Sequence, residues 1–147
     1  MTELIQLIAA FGGGIGFSLI FGLHGKQLPI AALGSVLTWG CYLLASIAKC
    51  PTMLAIFLAS VFGASCTVLL AKVLKAPKSV FLFSMLHPLI PGSSLYLTMQ
   101  NLLTKDFEMF FSYGLKTLSS TFLISAGIIT ILLFERFVIQ IKSKTHD

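Results

Sequence analysis

Residues 79–103 read SVFLFSMLHPLIPGSSLYLTMQNLL, an apolar run long enough to cross a bilayer whose middle is His87-Pro88-Leu89-Ile90-Pro91-Gly92-Ser93-Ser94. Each proline removes a backbone donor and crowds the carbonyl one turn back, and Gly92 adds backbone freedom. A helix here is predicted to stop and restart between Pro88 and Ser94. Hydrocarbon offers no partner to the peptide groups that such a break frees, so breaks at membrane depth survive only inside protein or beside a water-filled cavity. Interrupted helices are where secondary transporters commonly hold their solutes.

The surrounding chain fits that reading. Of 147 residues, 56% are hydrophobic and 10% charged, with a mean hydropathy of +0.97, whereas a soluble domain carries about 25% charged residues. The expected fold is an all-α polytopic membrane helix bundle forming one domain over 1–147. Five spans are drawn at 4–23, 30–48, 53–71, 79–103 and 113–134, each near the ~20 residues that cross hydrocarbon. A basic tail follows over 136–147. The amino terminus, Met1-Thr2-Glu3, lacks the basic region of a signal peptide, so the first span is expected to stay in place.

Charge gives an orientation. Lys26, Lys72, Lys75, Lys78, Arg136, Lys142 and Lys144 fall on one side of the five spans, against Lys49 and Lys105 on the other. Cytoplasmic loops retain Lys and Arg, which puts the amino terminus outside and the carboxyl terminus in the cytoplasm. The basic residues never form a stripe with interleaved aromatics, so nucleic acid is not an expected partner. Cys41, Cys50 and Cys66 have no CxxC spacing and no nearby histidine or carboxylate pair, and neither a metal site, a disulfide framework nor a cofactor follows.

Small residues set the packing. Gly12-Gly13-Gly14-Ile15-Gly16 and Ser18 recur at spacings that let another backbone approach closely. A phosphate loop would need a preceding strand and a following Lys-Ser/Thr, which this segment lacks. Gly34, Gly40, Ala59, Gly63 and Ala64 continue the theme and read as packed scaffold.

Candidate chemistry gathers at the break. Pro91-Gly92 turns the chain, and Ser93 or Ser94 is expected to cap the restarted helix. Free amides and the helix dipole at such an end favour an anion, and a carboxylate is the common metabolite anion. A small carboxylated solute is therefore the expected ligand, with Pro88, Pro91, Gly92, Ser93 and Ser94 along its path. His87 has two readings, a proton carrier or a neutral ring bonded to freed backbone. Beyond it, Tyr96 and Gln100 share one helix face and residues 93, 97 and 101 another, and either face suits a pathway.

The last span adds Ser119-Ser120-Thr121 and Ser125-Ala126-Gly127, whose hydroxyls either bond their own carbonyls or wall a polar cavity, with Thr121 the candidate. Lys116 either snorkels to the surface or meets a solute carboxylate. Glu135 and Arg136 are expected to be hydrated at the cytoplasmic end. No zinc-binding HExxH, intramembrane aspartate pair or Gly-x-Ser-x-Gly elbow is present, and the His87 and Ser93 pair lacks an orienting acid. The chain is not expected to be an enzyme.

Pro88-Leu89-Ile90-Pro91-Gly92-Ser93-Ser94-Leu95-Tyr96-Leu97-Thr98-Met99, preceded by Lys75-Ala76-Pro77-Lys78, resembles the Pro-x-x-Pro-Gly motif of the bacterial threonine/serine exporter family. The chain is similar over nearly its full length to that family's small, YjjB-like membrane subunit. Gly16-Phe17, Leu33-Gly34-Ser35 and Ala59-Ser60-Val61-Phe62-Gly63 fit the same layout. The resemblance implies a half-transporter in the bacterial inner membrane. It would work with a larger subunit of the same family and export threonine, serine or a dicarboxylate such as succinate. Alternating access around the break, driven by the proton gradient, is the implied mechanism. A non-transporting accessory protein that stabilises another membrane protein is the alternative.

Overall fold

A computed structural model of the chain describes residues 2–144, with side chains described over 3–141. Six helices follow one another: α1 Thr2–Ile20, α2 Gln27–Ile47, α3 Thr52–Leu74, α4 Lys78–Leu86, α5 Gly92–Leu103 and α6 Phe107–Lys144. A 3-10 turn, His87–Leu89, lies between α4 and α5. Residues 145–147 of the expected basic tail, and the side chains of Lys142 and Lys144, lie outside the described part.

The described residues contain no strand, and the bundle is all-helical as expected. Helices α1, α2, α3 and α6 are each long and apolar enough to cross a membrane. The pair α4 and α5 makes a fifth such segment, bent by 63° at the break. The last helix runs 38 residues and extends beyond the drawn span of 113–134 at both ends. Asp106 starts it early, because its carboxylate accepts the Met109 N–H at 3.2 Å, and no proline interrupts the apolar run that follows.

Four helices end with one device. Gly22, Lys49, Lys75 and Lys105 sit at positive φ of 77°, 57°, 50° and 60° after α1, α2, α3 and α5. In each case the following amide reaches a carbonyl five residues back: Leu23 to Ser18 at 2.8 Å, Cys50 to Ala45 at 3.1 Å, Ala76 to Ala71 at 3.2 Å and Asp106 to Asn101 at 2.9 Å. Left-handed backbone costs a lysine about 1 kcal/mol. A cation at the negative end of a helix dipole offsets part of that cost.

Small residues hold the first four helices together. On α1, Gly14 faces Ser35 and Ala32, and a methyl group added to it would stand 2.9 Å from the Ala32 Cα. Gly34 on α2 receives Met85, and Gly63 on α3 receives Leu86 and Thr38. Gly12, Gly16 and Gly40 have open space around them, so the close packing expected of every glycine in these segments holds for only some. The wedge that fills the resulting room is α4, whose Phe81, Ser84, Met85 and Leu86 are buried against α1, α2 and α3.

Helix α5 lies against α6, and α6 returns to pack on α3. Glu135 of α6 bonds Lys78 at the start of α4, while residue 107 lies 28 residues earlier, about 40 Å along the helix. The end of α5 is thus far from the start of α4. The bent pair crosses the bundle and does not re-enter on one side.

Candidate functional site at the helix break

The two prolines act where their chemistry predicts. Helix α4 ends at Leu86, and the 3-10 turn closes with Ile90 N–H on the His87 carbonyl at 3.1 Å. Pro91, at φ −76° and ψ 57°, is the centre of a three-residue turn in which Gly92 N–H reaches the Ile90 carbonyl at 2.7 Å. The α5 ladder then begins with Leu95 N–H on the Pro91 carbonyl at 3.0 Å.

The break therefore occupies 87–91, somewhat earlier than the expected Pro88 to Ser94, and Ser93 and Ser94 lie inside α5. Neither serine caps the helix. Pro91 holds the cap position, and the Ser94 hydroxyl donates to its carbonyl at 3.1 Å. The amides of Ser93 and Ser94, in the first helical turn, have no acceptor one turn back. Donors at the helix start thus persist without the expected serine cap.

His87 turns toward α1. Its ring stacks on Phe17 at 4.9 Å, and Nε2 presses on Gly13, where any Cβ would collide with it. Nδ1 lies 3.0 Å from the Ser84 carbonyl. A carbonyl only accepts, so Nδ1 carries the hydrogen. This is the reading in which the ring satisfies backbone freed by the break. The Ser93 side chain is exposed and has no bond to the histidine among the described contacts.

An open cavity of about 260 Å³ borders the break, lined by Gln6, Ala9, Ala10, Trp39, His87 and Pro88. Within it the Trp39 indole N–H donates to the Gln6 side-chain carbonyl at 3.3 Å, which leaves the Gln6 amide nitrogen as a further donor. Gln6 and Trp39 were not evident from the sequence, because 33 residues separate them and their meeting depends on how α1 lies on α2.

Helix α5 has two polar faces of opposite character. Ser94, Thr98 and Asn101 turn inward, and each side chain bonds a carbonyl of its own helix region, at Pro91, Ser94 and Leu97. Thr98 also meets Gly114 of α6. Ser93, Tyr96 and Gln100 form an exposed stripe at helical spacing, with Tyr96 67% accessible. Of the two faces left open by the sequence, Tyr96 and Gln100 lie without cover, while on the other Ser93 is exposed and Leu97 and Asn101 are half-buried.

The remaining candidates are dispersed. Thr121 and Lys116 are exposed on α6, and the Thr121 hydroxyl donates to the Thr117 carbonyl at 2.9 Å. Ser120 and Ser125 likewise bond carbonyls one turn back. Glu135 departs from expectation: it is 7% accessible, with both oxygens 2.7 Å from the Lys78 ammonium and one 3.0 Å from that of Lys72. Two lysines 57 and 63 positions earlier cover what would otherwise be a hydrated carboxylate.

An apolar bundle of five crossings, one of them broken beside an open cavity that Gln6, Trp39 and His87 help to line, defines a class of multi-pass membrane protein built around an interrupted helix. Residues 6–134 match the family described as Threonine/Serine exporter, ThrE, and the chain belongs to that family as a membrane component. Neither the curated proteins nor the solved structures contain a match to the chain.

Proposed function

We propose that the chain is the small subunit of a two-chain secondary exporter in the bacterial inner membrane, and that its broken crossing forms one wall of the solute path. The observation that carries this reading is the exposed stripe Ser93, Tyr96 and Gln100, beginning just beyond the break. Polar side chains within a membrane segment are unfavourable against lipid and favour a cavity or another protein. A larger subunit of the same family covers the stripe, leaving a polar channel between the two chains.

The solute is a small carboxylated metabolite, threonine, serine or a dicarboxylate such as succinate. Its carboxylate accepts from the Ser93 and Ser94 amides, where the dipole of α5 adds to the attraction. Pro88, Pro91 and Gly92 hold that helix end in place, and Tyr96 supplies a hydroxyl along the path. Lys116 and Thr121 on α6 extend the polar surface toward the partner. Alternating access arises from movement of α5 and α6 against the packed helices, with the proton gradient as driving force. The amino terminus faces outward and the basic end of the bundle faces the cytoplasm.

Efflux from cells loaded with labelled threonine or succinate and co-expressing both subunits tests the proposal. Exchanging Pro91-Gly92 for Ala-Leu is expected to abolish efflux, and Gln100→Leu to reduce it, with insertion unchanged. Normal efflux from a properly inserted Ala-Leu variant would remove the break from the path. Transport by the larger subunit alone would favour an accessory role.

A further inference from the structure

The charged end of the bundle carries a second feature, independent of the solute path. Glu135 is gripped by Lys78 through both oxygens and by Lys72 through one, so two cations share one carboxylate. The cluster keeps one positive charge in excess. Lys72 is 51% accessible, and an ammonium has three donors, of which the carboxylate takes one.

Beside this cluster α3 and α6 leave an open groove of about 280 Å³. Its walls include Val68, Leu69, Ile131 and Phe134, and Lys72 and Glu135 stand at its head. The other acids among the described side chains, Glu3, Asp106 and Glu108, belong to the opposite end of the bundle. Lys26, Lys75 and Arg136 belong to this one. An exposed apolar trough between two helices of membrane-crossing length, headed by a partly free cation in a basic neighbourhood, matches one chemistry: an acyl chain joined to a phosphate.

We infer that the α3–α6 groove is a binding site for an anionic phospholipid, with an acyl chain along Val68, Leu69, Ile131 and Phe134 and the phosphate accepting from Lys72. Bound there, the lipid bridges two helices that the Lys72–Glu135 pair also ties at this end. It also lies against the outer side of the ion-pair cluster and shields it from competing ions. Lys78 is committed to Glu135 and contributes field more than contact.

Native mass spectrometry of the purified chain, with phosphatidylglycerol and phosphatidylcholine of identical acyl chains in competition, tests the inference. The wild-type chain is expected to retain phosphatidylglycerol preferentially. Lys72→Gln leaves Glu135 paired with Lys78 and is expected to lower that preference about fivefold, the worth of one interfacial cation. Val138→Trp narrows the groove, which Val138 also lines, without touching charge, and is expected to weaken retention of both lipids. Lys26→Gln, at the same end but outside the groove, is expected to leave the preference intact. An equal loss from Lys26→Gln would mean a diffuse surface field and overturn the site. So would unchanged retention in both the Lys72 and Val138 variants, or displacement of bound lipid by inorganic phosphate alone.

Discussion

Helices α4 and α5 belong to one crossing yet live in different surroundings. Phe81, Ser84, Met85 and Leu86 of α4 are enclosed by three helices, whereas Leu95, Tyr96, Met99 and Leu103 of α5 are exposed and its packing partner is α6. Local freedom follows contact density. The break thus joins a half fixed in the bundle to a half held by a single hairpin, and that hairpin is tied back through α6 on α3 and through Glu135. A transporter wall needs both properties, a firm reference and a surface that shifts against it.

The strongest way to break this contrast is to overfill the firm side. Gly14→Leu forces side-chain atoms against the backbone of α2, and is expected to cost about 3 kcal/mol, read as a lowered thermal midpoint in detergent. Gly114→Ala on the hairpin, where a new Cβ meets Thr98 only at 3.6 Å, is expected to be tolerated. If the two variants behave alike, the difference in packing is illusory. Glu135→Gln loosens the tie between the regions and is expected to cost about 1 kcal/mol, modest because both lysines are well solvated. A double-mutant cycle with Lys78→Gln should show a coupling that Lys26→Gln lacks.

A smaller and opposite effect sharpens the picture. Gly16 lies on α1 with nothing near it, so Gly16→Ala is expected to stabilise by about 0.5 kcal/mol through helix propensity. Destabilisation there would show contacts that the free chain hides, such as a partner seated on that face. The smallest expected effect is none at all. With the native cysteines replaced, Thr98→Cys and Gly114→Cys can be oxidised to lock α5 onto α6, and efflux should survive if the hairpin moves as a unit. Loss of efflux would place the motion between α5 and α6.

Much of the architecture was legible because apolar length and proline chemistry are local properties. The five crossings, the stop at Pro88 and the restart after Pro91 follow from a few neighbouring residues. The identity of the cap did not, since a tight turn centred on Pro91 made a serine cap unnecessary and left Ser94 to bond the same carbonyl. The glycines of α1 were read as one packing surface, but only the face carrying Gly13 and Gly14 meets neighbours, which helix phase alone does not disclose. Gln6, Trp39 and the Glu135 cluster depend on residues brought together across 33 to 63 positions. Their signal is weak in sequence. A lone glutamine or glutamate near a span end usually means contact with water, and here tertiary packing reversed that expectation for Glu135.

The length of α6 has a consequence for the membrane itself. Between Glu108 and Glu135 it runs 27 residues, or roughly 40 Å of helix against ~30 Å of hydrocarbon. Met53 in the first turn of α3 shares an open cavity with Leu118, Ser119, Phe122 and Leu123 of α6, so about three turns of α6 precede the start of its neighbour. Hydrophobic mismatch of this size is relieved by steep tilt, local thickening of the bilayer or cover from a second protein. Helix α6 therefore asks for more tilt or more cover than the first three helices, and the thickness of the surrounding lipid bears on how it sits.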